Sequence, residues 1–232
     1  MYEEKSAEWQ NFTGFLAALG GCCLTKEKEM NDNVSYSLDY SKKIANGPLA
    51  MVDGFIAEMI EMLVSSNVYV REGVKDTLGN DLSSSLFVLL FRHLEDRMKK
   101  CFDSNGQAIH TSENEIFVEQ LVLVLRLILD RLVNPGDYLL SIDFSTLVDQ
   151  FLDYLARMSN TYVTLRIKIK ACILIEALMQ KKEGIIIQNS IMLRNKMLEV
   201  LVEWTSHVSL VNMKDYIKSV PINNLYPDTK SI

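Results

Sequence analysis

The side chains that could do chemistry are few and widely separated. The histidines are His93, His110 and His207. None has a cysteine or a second histidine at metal-ligand spacing. The adjacent pair Cys22-Cys23 could hold a metal only with ligands from a distant segment. Beside the helix-ending Gly20-Gly21 it reads instead as two small thiols, packed or partly exposed. Cys101 and Cys172 stand alone within apolar helical patterns, and adjacent cysteines do not readily bridge each other. Reduced thiols in a cytosolic compartment are therefore expected. The phosphate-cradling patterns G-x-x-x-x-G-K-[ST] and G-x-G-x-x-G are absent, as is the nucleophile turn G-x-S-x-G. The expectation is a chain with no catalytic residue, no metal ligand and no cofactor site of its own.

Charge narrows the partners further. The 232 residues carry 24 Lys and Arg against 30 Asp and Glu, a net charge of -6. Duplex binding needs a clustered basic excess, so no nucleic-acid partner is expected. Arg166, Lys168, Lys170, Lys181 and Lys182 form a local basic edge. It reads as a solvated face with snorkelling lysine stems, an acidic partner or anionic lipid being the alternative. Met51, Met59 and Met62 read as core filler rather than as an adaptable groove. The most apolar stretch, Ile116 to Val133, is interrupted by Glu119, Arg126, Asp130 and Arg131 and is not a membrane span. The opening MYEEKSAEWQ is acidic where a signal peptide is basic. Membrane association is thus expected to be peripheral if it occurs.

The elements that would position these groups are helices. Hydrophobic residues make up 48% of the chain, while 4 prolines and 10 glycines are too few for the turns of a sandwich. Apolar residues at three- and four-residue spacing predict a first helix over Glu3 to Leu19, with a stripe of Trp9, Phe12, Phe15, Leu16 and Leu19. Residues 25–47 are polar and aperiodic and read as a long loop. Pro48 opens a second helix with Met51, Phe55, Met59, Met62 and Leu63 inward. A short third helix spans about Val68 to Leu78, and a fourth runs from Leu82 to Phe102 with Ser83 to Ser85 offering N-cap oxygens. After the turn Asp103 to Gln107, a fifth helix over Ser112 to Val133 is apolar on most sides, as a helix packed among neighbours must be. Asn134-Pro135-Gly136 ends it.

A sixth helix, Asp143 to Met158, turns Phe144, Leu147, Val148, Phe151, Leu152 and Leu155 inward. Thr161 to Lys182 begins with LRIKIK, which alternates like a strand, but the apolar run is too long for one and length decides for a helix ended by Gly184. The last helix covers Ser190 to His207 with Leu193, Met197, Leu201 and Trp204 in register. These eight helices predict an all-α domain over 1–220, with 221–232 as a tail. Consecutive antiparallel pairs suit a HEAT- or armadillo-like solenoid; a compact irregular bundle is the competing architecture.

Four ordered blocks go beyond composition. EWQNFTGFLAALGG (Glu8 to Gly21) resembles the EW-x-N-x-TGFL-x-ALGG segment of neurofibromin. VKDTLGNDLSSSLFVLLFRHLE and KKCFDSNGQAIHTSENEIFVEQ resemble its VKDLVGLELS and FFDSQGQ…FVEQ patterns. IMLRNKMLEVLVEWT (Ile191 to Thr205) is similar to its MKFRNKM-x-E-x-L-x-DW stretch. The resemblance covers most of the chain and points to the fungal inhibitory regulators of the Ras–cyclic AMP pathway, which are very large GTPase activators. It implies an all-α segment just ahead of a catalytic Ras-GAP domain, in a cytoplasmic protein that can sit peripherally at membranes. Its partners would be a Ras-type GTPase, met through that domain, and a second copy of the full-length protein.

Activation in that family relies on an arginine finger, worth 10³–10⁵ in rate. Leu90-Phe91-Arg92 shares the finger's local letters, but it lies in a helical period, lacks the following Gly-Asn, and no FLR-x-x-x-PA motif accompanies it. Arg92 is therefore not expected to act as a finger. The alternatives are a stand-alone helical adaptor and a module with GTPase-activating ability of its own.

Overall fold

The computed structural model describes residues 2–22, 48–131, 144–159, 161–180 and 191–207. The expected loop 25–47, the break at Asn134-Pro135-Gly136, Lys181, Lys182, Gly184 and the tail 221–232 lie outside them. Among the described residues there is no strand, only an isolated bridge between Phe102 and Ala108. The helices are α1 (Tyr2–Leu19), α2 (Pro48–Met62), α3 (Val68–Asp76), α4 (Phe87–Lys99), α5 (Ser112–Arg131), α6 (Phe144–Ala156), α7 (Tyr162–Gln180) and α8 (Ile191–His207). The all-α expectation holds, and every helix but the fourth lies close to its expected span.

Contacts between helices follow two sequences. One runs from α1 through the segment after α3 to α5 and then α7; the other runs α2, α4, α6, α8. Cross-contacts join α2 to α3, α3 to α5 and α7 to α8. Helix α5 lies deepest: Phe117, Val118, Leu121, Val122, Val124, Leu125, Ile128 and Leu129 are all fully buried. Each such side chain contributes about 1.5–3 kcal/mol on leaving water, so this helix anchors the core.

Two departures from the sequence expectation concern helix ends. Asn67 caps α3, its side chain accepting from the Tyr69 amide at 3.0 Å. The helix then runs on into a π turn, Thr77–Asp81, closed by the Leu82 amide on the Thr77 carbonyl at 2.9 Å. The fourth helix does not begin at Leu82 with a serine cap. A short 3-10 turn, Ser84–Leu86, precedes α4, and Ser83 makes no side-chain cap bond because its hydroxyl meets that of Ser85 at 2.9 Å. Arg131 from the end of α5 donates to the Leu82 carbonyl at 2.6 Å and to the Asn80 carbonyl, satisfying the acceptors where the π turn ends.

The larger correction concerns α1. The expected stripe is not its buried face: Phe12, Phe15, Leu16 and Leu19 are exposed, and Trp9 is half-buried. The helix docks instead through Thr13, Gly14, Ala17 and Gly20. These small residues let its backbone come close enough for the Ser83 amide to bond the Ala17 carbonyl at 3.1 Å. Gly14 faces Asp81, and Gly73 of α3 faces Trp9. Spacing alone defines two possible faces on a helix, and here the neighbour selects the flatter one. Met51 of α2, expected inward, is likewise exposed. By contrast Leu147, Val148, Phe151, Leu152 and Leu155 of α6 are all buried as expected, as are Leu193, Met197 and Trp204 of α8. In α7 Ile167 is buried and Ile169 exposed, so the strand-like alternation of LRIKIK is a helix seen from two sides.

The π turn makes a sharp demand on sequence at Gly79. A Cβ there would lie 2.5 Å from Leu127 Cβ. Gly79→Ala should cost about 1–3 kcal/mol of unfolding free energy through overpacking. Gly54, itself exposed on α2 with open space within 4 Å of where a Cβ would stand, should show the reverse sign. Gly54→Ala should gain up to about 1 kcal/mol from helix propensity. Urea unfolding of both variants measures the contrast.

Candidate functional site

Arg92 projects from α4 toward α2, where Asp53 accepts a hydrogen bond from its Nη2. His93, the next residue, places Nε2 2.7 Å from the same Asp53 Oδ1. A single carboxylate thus gathers the two polar residues that sequence reading had treated separately, and it ties both to the α2–α4 contact. An arginine held this way is a cross-link between neighbouring helices. Beside it, an open groove of about 610 Å³ is lined by Ala57, Ile60, Met62, His93, Arg97 and Lys100 among others. Lys100 lies 3.7 Å from Glu61 at its rim.

Arg97, one turn further along α4, is almost fully buried. Its Nη2 meets Glu113 Oε1 at 2.8 Å, its Nη1 meets Asn114 Oδ1 at 3.3 Å, and its guanidinium lies 4.8 Å from the Phe117 ring centroid. It pins α4 to the start of α5. Burial pushes the neighbouring Cys101 thiol up to about 11, against the opposing pull of Arg97. Burial also raises the Cys172 thiol. Neither offers a thiolate near neutral pH. Cys22 is exposed, and Cys23 lies outside the described residues.

His110 is exposed on the segment between α4 and α5, its ring centroid 5.5 Å from that of Tyr154, and His207 ends α8. No group of three or more His, Cys, Asp or Glu able to hold a metal occurs among the described residues. In the Asp103–Gln107 turn, Asp103 Oδ1 accepts from the amides of Asn105 and Gln107, each at 2.8 Å. Gly106 there takes φ 72°, a conformation that favours glycine.

The basic edge of α7 is organised differently from a solvated face. Glu119, on the buried side of α5, accepts from Arg166 Nη2 at 2.7 Å and Lys170 Nζ at 2.5 Å. The i, i+4 spacing of the two cations sets them side by side over one carboxylate. Burial alone would raise the Glu119 carboxyl, but the hydrogen bonds from Lys170 and Arg166 hold it below its usual range. Lys168 points the other way, its Nζ 5.5 Å from the Trp204 ring centroid in α8, and burial lowers its pKa. The residue that sequence reading missed is Glu119, which figured there only as an interruption of an apolar run. An acid within a helix apolar on most sides, with a cation pair one turn apart further along the chain, was the available signal.

Glu119 is depressed when folded, so its stabilisation is present above the ordinary carboxylate range and is lost as pH falls through the folded value. Urea midpoints should therefore fall between pH 6 and pH 3 by more in the parent chain than in Glu119→Gln. At neutral pH Glu119→Gln should cost about 1–3 kcal/mol, since two cations lose their charged acceptor. Trp204, 7% exposed, gives a second test: Trp204→Ala should cost about 3–5 kcal/mol. A loss below about 0.5 kcal/mol would place the indole in solvent.

No family model matches the chain. Over 219 residues it is 24% identical to the "Inhibitory regulator protein IRA2" of Saccharomyces cerevisiae, and the similarity covers 92% of this chain. It spans only 7% of that much longer protein. The chain is thus a distant relative of part of an inhibitory regulator.

Proposed function

We propose that the chain is a non-catalytic scaffold segment of a neurofibromin-like Ras GTPase-activating protein, placed ahead of the activating domain in a negative regulator of Ras–cyclic AMP signalling. The observation that carries this reading is the extent of the similarity to an inhibitory regulator. It runs through nearly the whole chain rather than through one motif. The side-chain chemistry supports it. Arg92, Arg97, Arg131, Arg166 and Lys170 each bridge one helix or turn to another. Cations used in this way stiffen the stack and fix the direction in which it presents an attached domain. The two sequences of helix contacts support a HEAT- or armadillo-like arrangement over 1–220.

In this reading Ras is met by the activating domain of the whole protein. Homodimerisation also belongs to the full-length polypeptide. No described helix is long and apolar enough to cross a membrane. A cytoplasmic setting with peripheral membrane contact is part of the proposal.

The test adds the purified chain to GTP-loaded Ras. Hydrolysis should stay at its intrinsic rate at every concentration of the chain. A saturable acceleration that disappears in Arg92→Ala, and also in Arg92→Lys, which keeps a cation for Asp53, would instead make this segment a GTPase activator in its own right.

A further inference from the structure

Among the described residues, exposed large hydrophobics avoid the middle of the stack: α4, α5 and α6 carry none. They lie on α1, α2, α3, α7 and α8, with Ile109 between α4 and α5. The clearest group is on α1, where Phe12 is 71% exposed, Phe15 62%, Leu16 52% and Leu19 46%. Positions i, i+3, i+4 and i+7 form one continuous stripe, the pattern by which a helix packs on another helix. The stripe is not left over from docking, because α1 docks through its small-residue side. Among the described residues, helix α1 therefore has two contact faces, of which one is filled.

We propose that the Phe12, Phe15, Leu16 and Leu19 face of α1 seats a further helix with an aliphatic stripe, supplied by the same polypeptide outside these residues. This rests on the reading of the chain as a segment of a longer regulator. Area argues for an occupant in cis rather than a second copy. Aromatic side chains bury about 150–250 Å² each, so the stripe offers on the order of 500 Å². Two copies paired through it would bury roughly 1,000 Å², short of the roughly 1,200–2,000 Å² of a stable interface. A helix tethered to the same chain meets a high effective concentration and avoids most of the association cost, so the same area suffices. Chain is available for the purpose in the relative, since the similarity accounts for 7% of its length.

Hydroxyl-radical footprinting of the full-length polypeptide and of the 232-residue chain decides it, with exposed His110 as the internal reference. Oxidation of Phe12 and Phe15 should be severalfold slower in the full-length polypeptide, because rings that are 71% and 62% exposed become buried. In the chain alone it should be fast and independent of protein concentration. Equal oxidation in the two preparations overturns the proposal, as does a full-length polypeptide no longer than this chain. Protection that grows with concentration in the chain alone also overturns it, in favour of self-association. Ras GTP hydrolysis on the same full-length preparation tests the scaffold reading separately. Protection without GTPase stimulation keeps the helix seat and removes the Ras assignment.

Discussion

Helix α5 keeps most of its surface from water, and everything around it follows from that constraint. Eight of its side chains are fully buried, and Glu119 and Gln120 are nearly so. A helix of this kind is stable only when neighbours cover it on several sides at once. Here the π turn and α3 cover one part and α7 another. The surrounding polar contacts then locate those neighbours: Arg97 fixes the start of α5 to α4, Arg131 fixes its end to the π turn, and Glu119 fixes its middle to α7. Apolar burial supplies the stability and ion pairs supply the register.

That division explains what could be read from residues alone. Helix existence and extent were legible, because three- and four-residue spacing is a local property of sequence. The inward face of α6 was legible too, and in α8 Leu193, Met197 and Trp204 kept the register although Ile191, Met192, Leu198 and Val202 are exposed. The face of α1 was not: it has a large apolar side and a small one, and the choice belongs to the partner surface built by Gly73, Asp81 and Ser83. The π turn was hidden for a similar reason. Its single demand, space for Leu127 beside Gly79, appears only once α5 is in place.

The polar chemistry was legible in kind but not in pairing. Arg92 and His93 were visible as candidates, and so were the α7 cations. Their partners, Asp53 and Glu119, are 39 to 51 residues away in sequence. The four sequence blocks with family resemblance fall on α1, on the π turn and α4, on the start of α5, and on α8.

The shallow docking of α1 has a mechanical consequence. Ala17 is the one fully buried apolar side chain on this helix among the described residues, with half-buried Trp9 packed beside it, so α1 commits far less hydrocarbon to the core than α5 does. Its backbone amides should exchange with solvent through a local opening of low free energy, well below that of the core helices. Local stability in this fold is thereby graded, lowest at α1 and highest at α5.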